Sequence, residues 1–328
     1  MEFRKLGKTG IKVSEISLGT WQVGGKWGAS FSDANADEIL NTAIDSGINF
    51  IDTADVYGDG ESEKAVGRLL RSRKEKIYVA TKCGRQIQPH VDRGYTVDLL
   101  RKFVENSLTN MKLETIDLIQ LHCPPTNVYY RPEIFELFDK LKQEGKIQHL
   151  GVSVEKVEEA LKAIEYDNVT TVQIIFNIFR QRPAQLFFSE AKKKNIGIIV
   201  RVPLASGLLT GKFTALTDFA AGDHRQFNRN GEEFDKGETF SGIDYEKGIA
   251  AVEALKKIFP DQTNLAPIAL KWILQFDAVS CIIPGASNVS QVDSNISAID
   301  VPNLTSSQLQ AVQEVYENYI KPSVHQLW

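Results

Sequence analysis

Short apolar runs and longer amphipathic segments alternate along the whole chain. ISLGT (16–20) precedes a helical pattern at 33–46, NFIDT (49–53) one at 61–71, and KIYVATK (76–82) one at 96–111. TIDLIQLH (115–122) precedes 132–144, QHLGVS (148–153) precedes 155–166, and TVQIIF (171–176) precedes 184–194. IGIIVRV (196–202) leads into a long polar loop and a helix near 245–258, AVSCIIPG (278–285) leads into 288–298, and a last helix is predicted over about 305–320. Short runs rich in Ile and Val are how parallel strands covered on both faces read. Ser32 or Asp33, Thr96, and Thr305 or Ser306 stand where helix N-caps belong. Ahead of these runs, EFRKLGKTGIKVSEI reads as two short strands about the turn Gly7-Lys8-Thr9-Gly10.

Eight β-α units with no break in composition predict an α/β fold, a closed (β/α)8 TIM barrel, as one domain over 1–328. An N-terminal β-hairpin and extra helices and long loops at the C-terminal side complete it. A doubly wound open sheet is the alternative, and it calls for a glycine-rich turn after its first strand. GTWQVGG lacks the G-x-G-x-x-G spacing, and GLLTGK (207–212) has three residues between its glycines where a phosphate loop needs four. The segment 214–242 is too long for a simple connection and reads as a lid or binding loop.

Composition narrows the partners. The chain has 328 residues, 42% hydrophobic and 24% charged, with a net charge of −4. That balance favours neither nucleic acid nor an anionic membrane surface. No apolar run approaches the roughly 18 residues of a membrane span, and the opening residues show no secretory h-region. Cys83, Cys123 and Cys281 are odd in number and lack CxxC spacing. They argue against a disulfide framework or a zinc site and for a reducing compartment, so a cytoplasmic location is expected.

In such a barrel, chemistry sits at the C-terminal ends of the strands. The second barrel strand ends at Asp52 with Tyr57 in its loop, the third at Lys82, the fourth at His122 and the fifth at Ser153; the sixth carries Gln173 and Asn177. A buried lysine beside a carboxylate, a tyrosine and a histidine is a proton-transfer set. A neighbouring ammonium favours the phenolate, so Lys82 is expected to lower the Tyr57 pKa from its ordinary value of about 10. Asp52 would keep that ammonium charged, and His122 would orient a carbonyl oxygen or relay a proton.

The pieces KLGKTGIKVSEISLGTW, INFIDTADVYGDGESEKAVGRLL, VATKCG, DLIQLHCP, GKIQHLGVS, VQIIFN, PLASGLLTGKF and IPGASNVSQV, in this order, resemble the aldo-keto reductase family, including its bacterial members, along nearly the whole chain. The resemblance implies a (β/α)8 barrel that uses NADP(H), with NAD(H) as the alternative. It implies reduction of small aldehydes or ketones to alcohols, with Asp52, Tyr57, Lys82 and His122 catalytic and Tyr57 the general acid. For the cofactor it implies Gly19, Thr20, Trp21 and Asp52 at the nicotinamide and ribose, and Ser153 and Gln173 on the carboxamide. Pro203, Leu204, Ser206, Gly207, Leu208 and Lys212 would bind the pyrophosphate region, and Gly285, Ser287, Gln291 and Asn295 would surround the adenosine.

Three positions depart from the family pattern. Arg201 stands where many relatives stack an aromatic on the nicotinamide; it either lies against the ring or meets a phosphate or an acidic substrate. Val154 replaces the asparagine of GVSN, and Ser287-Asn288 replaces a basic residue after IPG. Lys212, or Arg225 and Arg229 in the long loop, would then supply charge for a 2′-phosphate.

Other features have plainer readings. His90, His149, His224 and His325 lack partners at metal-ligand spacing. Cys83 and Cys123 read as packing residues, and Lys192-Lys193-Lys194 as a solvated helix end. Trp21, Trp27 and Tyr130 read as either an apolar substrate wall or loop anchors. Trp328 suggests a tail that docks. The loops 22–31, 85–95, 123–131 and 214–242 would set specificity. A cofactor-binding channel-associated subunit of the same fold with slow turnover is the competing function. A metal-dependent hydrolase would need H-x-H or H-E-x-x-H, which the sequence lacks.

Overall fold

In the computed structural model, residues 1–25 and 30–328 are described. A two-stranded antiparallel hairpin comes first, β1 (Phe3–Lys5) and β2 (Lys12–Ser14). Eight parallel strands follow: β3 (Leu18–Gly19), β4 (Phe50–Asp52), β5 (Tyr78–Cys83), β6 (Ile116–His122), β7 (Ile147–Ser153), β8 (Val169–Ile175), β9 (Gly197–Arg201) and β10 (Val279–Ile282). They pair in sequence order, and single bridges from Ile16 to Ile282 and from Gly19 to Gly285 bring the ends together into a nearly closed barrel.

The helices between them are α1 (Asp33–Asp45), α2 (Glu61–Ser72), α3 (Val97–Met111), α4 (Pro132–Gln143), α5 (Val157–Ala163) and α6 (Phe187–Lys193). Then come α7 (His224–Phe227), α8 (Tyr245–Ile258), α9 (Ala266–Leu274), α10 (Val289–Ile296), α11 (Ser306–Val315) and α12 (Lys321–Val324). Ser32, Thr96 and Thr305 each accept a backbone N–H at the start of their helix, and Gln308 reaches back to Thr305 to close a capping box. Each such cap contributes about 1 kcal/mol. The helix α9 escapes the periodicity because it is buried on nearly every side and opens with a proline. The last helix runs on beyond 320, through a π-type turn at Tyr316–Ile320 into α12.

Strand alternation sorts the barrel into layers. Phe50, Ala80, Leu118, Ile199 and Cys281 meet Leu6, Ile11 and Val13 of the hairpin in an apolar floor, each 6% exposed or less. Their neighbours in sequence, such as Ile51, Val79 and Ile119, join the outer core under the helices. The hairpin is pinned under the barrel by Arg4, which donates to Leu274 O (2.8 Å), Val279 O (3.1 Å) and Glu15 (2.9 Å). At Gly7 the backbone has φ +53°, and a Cβ would lie 2.2 Å from Gly197 N, so only glycine fits. Two residues above the floor, the inward positions turn polar: Asp52, Lys82, Gln120 and Arg201. Among the described residues no helix is long and apolar enough to cross a membrane.

Candidate active site

The polar layer holds a buried ion pair. Lys82 and Asp52 are 1% and 2% exposed, with Lys82 Nζ 2.5 Å from Asp52 Oδ1. Lys82 also donates to Thr53 O (2.8 Å) and to the Tyr57 hydroxyl (3.3 Å). The second carboxylate oxygen of Asp52 accepts from Gln120 Nε2 (2.9 Å) and Gln173 Nε2 (2.8 Å). Each charge is thus paired and hydrogen-bonded, the condition under which burial is tolerated. Burial works against the Lys82 ammonium, but Asp52 and Tyr57 more than offset it and hold its pKa above the usual value.

Tyr57 is half-buried, with its ring 6.1 Å from Trp21 and edge-on to His122 at 6.0 Å. Burial pushes its phenol up, and the pull of Lys82 does not overcome that. Lys82 pulls the phenol down as expected, but burial outweighs it and the phenol stays protonated, with an ammonium 3.3 Å away. His122 is held neutral, well below the ordinary imidazole range, by burial and by Lys82, Arg85 and Arg201. Its Nδ1 is buried with no hydrogen-bond partner among the described residues.

A second cluster faces the same cavity. Arg201 Nη2 donates to Glu155 Oε2 (2.8 Å) and Val154 O (3.1 Å) and lies 3.5 Å from Cys123 Sγ. Its Nη1 stands 3.5 Å from Glu238 Oε2, and Arg85 Nη2 lies 3.4 Å from Glu238 Oε1. Burial opposes ionisation of Glu155, yet Arg201 keeps it a carboxylate; Glu238 is pushed up by burial and by Glu155 beside it. Cys123, Glu155 and Glu238 present donor atoms within 4.8 Å of one another, but the Arg201 guanidinium already sits among them as the cation.

A cavity of about 580 Å³ joins the two clusters. Of the residues predicted from sequence, Gly19, Thr20, Trp21, Asp52, Tyr57, His122, Gln173, Arg201, Pro203, Leu204, Ser206, Gly207, Lys212, Arg225, Gly285, Gln291 and Asn295 line it. Lys82 sits behind Asp52 and Tyr57. Three of the expected residues do not line it. Ser153 is fully buried behind Cys123, 3.4 Å from its sulfur. Leu208 turns into the apolar core. Ser287 is off the cavity wall, its N–H given to Gln291 Oε1 at 2.8 Å.

The neighbouring readings divide. Asn177 is tied to Val202 O and Ser241 Oγ, each at 2.9 Å, and braces the long loop. Arg229 lies over Tyr245 at 5.2 Å, away from the wall. Tyr130 is 63% exposed and rests near Lys162, whereas Trp21 is part of the wall; Trp27 lies outside the described residues. His224 lines the cavity beside Trp21, against the plain reading given to it. Cys83 and Cys123 are buried, and burial raises both thiols, as packing residues require. Gln120, Arg85, Glu155 and Glu238 were missed. Only Gln120 carried a signal, since it alternates with Leu118 and His122 along one strand face.

The cavity fits an extended dinucleotide. It runs from Gly19 and Trp21 to Gln291 and Asn295, past Ser206 and Gly207, whose φ values are +55° and +97°. A Cβ on Gly285 would meet only Gly19 O, at 3.8 Å, so the crevice stays open there. Lys212 lines it without an ion pair among the described residues, while Arg225 is clamped by Asp223 at 2.5 Å. An unpaired cation and exposed loop backbone suit a pyrophosphate.

Comparison with known proteins agrees with this geometry. The model of the Aldo/keto reductase family matches residues 15–317. The chain is 30% identical over 318 residues, covering 95% of it and 96% of the relative, to the uncharacterized oxidoreductase YqkF of Bacillus subtilis. Among solved structures it superposes on the holo form of the aldo-keto reductase AKR11C1 from Bacillus halodurans with TM-score 0.77 and 26% identity, covering 96% of each chain. It superposes on the glycerol dehydrogenase AKR11B4 from Gluconobacter oxydans with TM-score 0.75 and 30% identity, covering 97% and 96% of the two chains.

Proposed function

We propose a reaction for this chain, which belongs to the aldo/keto reductase family: the reversible reduction of small aldehydes and ketones to alcohols with NADP(H). The observation that carries it is the buried Lys82–Asp52 pair hydrogen-bonded to a protonated Tyr57 at an open cavity. When bound, the nicotinamide supplies a hydride to the carbonyl carbon. Tyr57 gives its proton to the carbonyl oxygen. Lys82, at 3.3 Å, stabilises the phenolate this leaves, while Asp52 keeps Lys82 charged in a site with little water. A neutral His122 beside the phenol orients the oxygen by hydrogen bonding without competing as an acid. Gly19, Thr20 and Trp21 would hold the nicotinamide end, Ser206, Gly207 and Lys212 the phosphates, and Gly285, Gln291 and Asn295 the adenosine. The phosphorylated cofactor is favoured by the unpaired cation Lys212 on that wall, and by the designation of a 27%-identical fission-yeast relative as an NADP(+) aldo-keto reductase.

The test is oxidation of NADPH, then NADH, at 340 nm against aromatic and aliphatic aldehydes. Tyr57→Phe is expected to reduce turnover by about 100-fold or more, as loss of a general acid does, with cofactor affinity nearly unchanged. A variant as active as wild type would remove Tyr57 from the mechanism.

A further inference from the structure

Two guanidiniums line the cavity beside Tyr57 and His122, and neither is fully satisfied. Guanidinium groups carry five N–H donors, and buried polar groups normally find partners. Arg85 has a side chain only 21% exposed, yet its one hydrogen bond or ion pair among the described residues is the 3.4 Å approach to Glu238. Arg201 is 8% exposed and leaves its Nε without a partner. Glu155 is the true counterion of Arg201, at 2.8 Å. Glu238 lies between the two arginines, at 3.4 and 3.5 Å, too far for the short bidentate bonds that arginine makes with carboxylates. Burial, and then Glu155 beside it, also dispose Glu238 to keep its proton. Together the two guanidiniums leave N–H donors unfilled beside the cavity.

The cofactor phosphates have a partner of their own in Lys212, which lines the cavity without an ion pair among the described residues.

We infer that the carbonyl substrates of this site carry a carboxylate, received by Arg85 and Arg201 beside His122. The inference deepens the reductase reading and rests on it. Glu238, on the turn Lys236–Glu238, occupies the carboxylate's place in its absence and yields when an ionised group arrives. One end of the substrate is then held by guanidinium while its carbonyl meets Tyr57.

The experiment compares succinic semialdehyde with butyraldehyde, of equal chain length but uncharged, using the full chain and NADPH. Wild type is expected to prefer the acid in kcat/KM by about tenfold or more, the scale of a charge-assisted hydrogen bond. Arg85→Gln is expected to collapse that ratio through KM, and Arg85→Lys to restore part of it. Succinate titrated into the NADP-bound protein by calorimetry reads the same subsite without turnover; wild type binds it and Arg85→Gln does not. Equal use of the two aldehydes by wild type, or a preference that survives Arg85→Gln, overturns the inference and leaves the reductase reading intact. Absence of turnover on both aldehydes overturns the reductase reading, and the succinate titration then decides the subsite: loss of binding in Arg85→Gln upholds it, equal binding overturns it.

Discussion

On one side of the barrel mouth, Asp52, Lys82, Gln120 and Gln173 give one another nearly every hydrogen bond they need. Beside them, Arg85, Arg201 and Glu238 line the same cavity with longer contacts and unfilled donors, with Glu155 paired to Arg201. The first group stands mainly on strands, two residues above an apolar floor, where neighbours fix each rotamer. The second is carried largely by loops, with Arg201 alone on a strand. Rigid, satisfied groups suit a step that every substrate shares. Groups with spare donors suit the part of the reaction that differs between substrates, because a ligand can complete them.

The contrast can be broken first at Lys82. Lys82→Met removes the charge that in the proposed reaction stabilises the phenolate and is expected to lower kcat by about 100-fold or more, measured at 340 nm with saturating aldehyde. A loss that appears only in KM would move Lys82 out of the chemical step. The paired glutamates come next. Glu155→Gln strips Arg201 of its counterion and is expected to cost about 3–5 kcal/mol in urea unfolding. Glu238→Gln replaces a carboxyl disposed to be neutral by its isostere and should change stability by less than about 1 kcal/mol. Equal effects of the two would show that they share charge evenly.

Acid tests the histidines. Burial, with help from Arg85, lowers His90 from 6.5 to about 4, so between those values the unfolded chain binds a proton that the folded protein refuses. Its stabilising contribution is whole above pH 6.5 and is lost as pH falls toward 4. His90→Asn should therefore flatten the pH dependence of the urea midpoint in that window. The most local effect is expected at Trp328, which donates to Asp235 Oδ1 at 2.8 Å and lies 4.1 Å from the Arg180 guanidinium. Trp328→Ala should loosen the segment 235–242 by about 1–2 kcal/mol, seen as faster limited proteolysis there.

How much was readable from sequence follows the same divide. Asp52, Lys82 and His122 end strands whose alternation already aims them inward, so a period of two found them. Gln120 obeyed the same rule and was passed over because glutamine does not announce chemistry. Glu238 is one acidic residue in a long polar loop, and only the loop, not the residue, was legible. Arg85 and Glu155 likewise lie just past strand ends, where no periodicity tells direction. The pull of Lys82 on the phenol of Tyr57 was legible and the burial that outweighs it was not, because sequence shows the neighbouring lysine but not how much water the fold removes. The docking of Trp328 was anticipated; its partners, Asp235 and Arg180, were not.

The hairpin beneath the barrel makes the molecule a cup, not a tube. Leu6, Ile11 and Val13 stop its base with side chains that carry no proton and admit no file of water. In the proposed reaction Tyr57 parts with a proton at each turnover and has to recover one. With the base stoppered, that proton arrives through the opening by which substrate enters and product departs. Recharging the acid and emptying the cup thus compete for one passage.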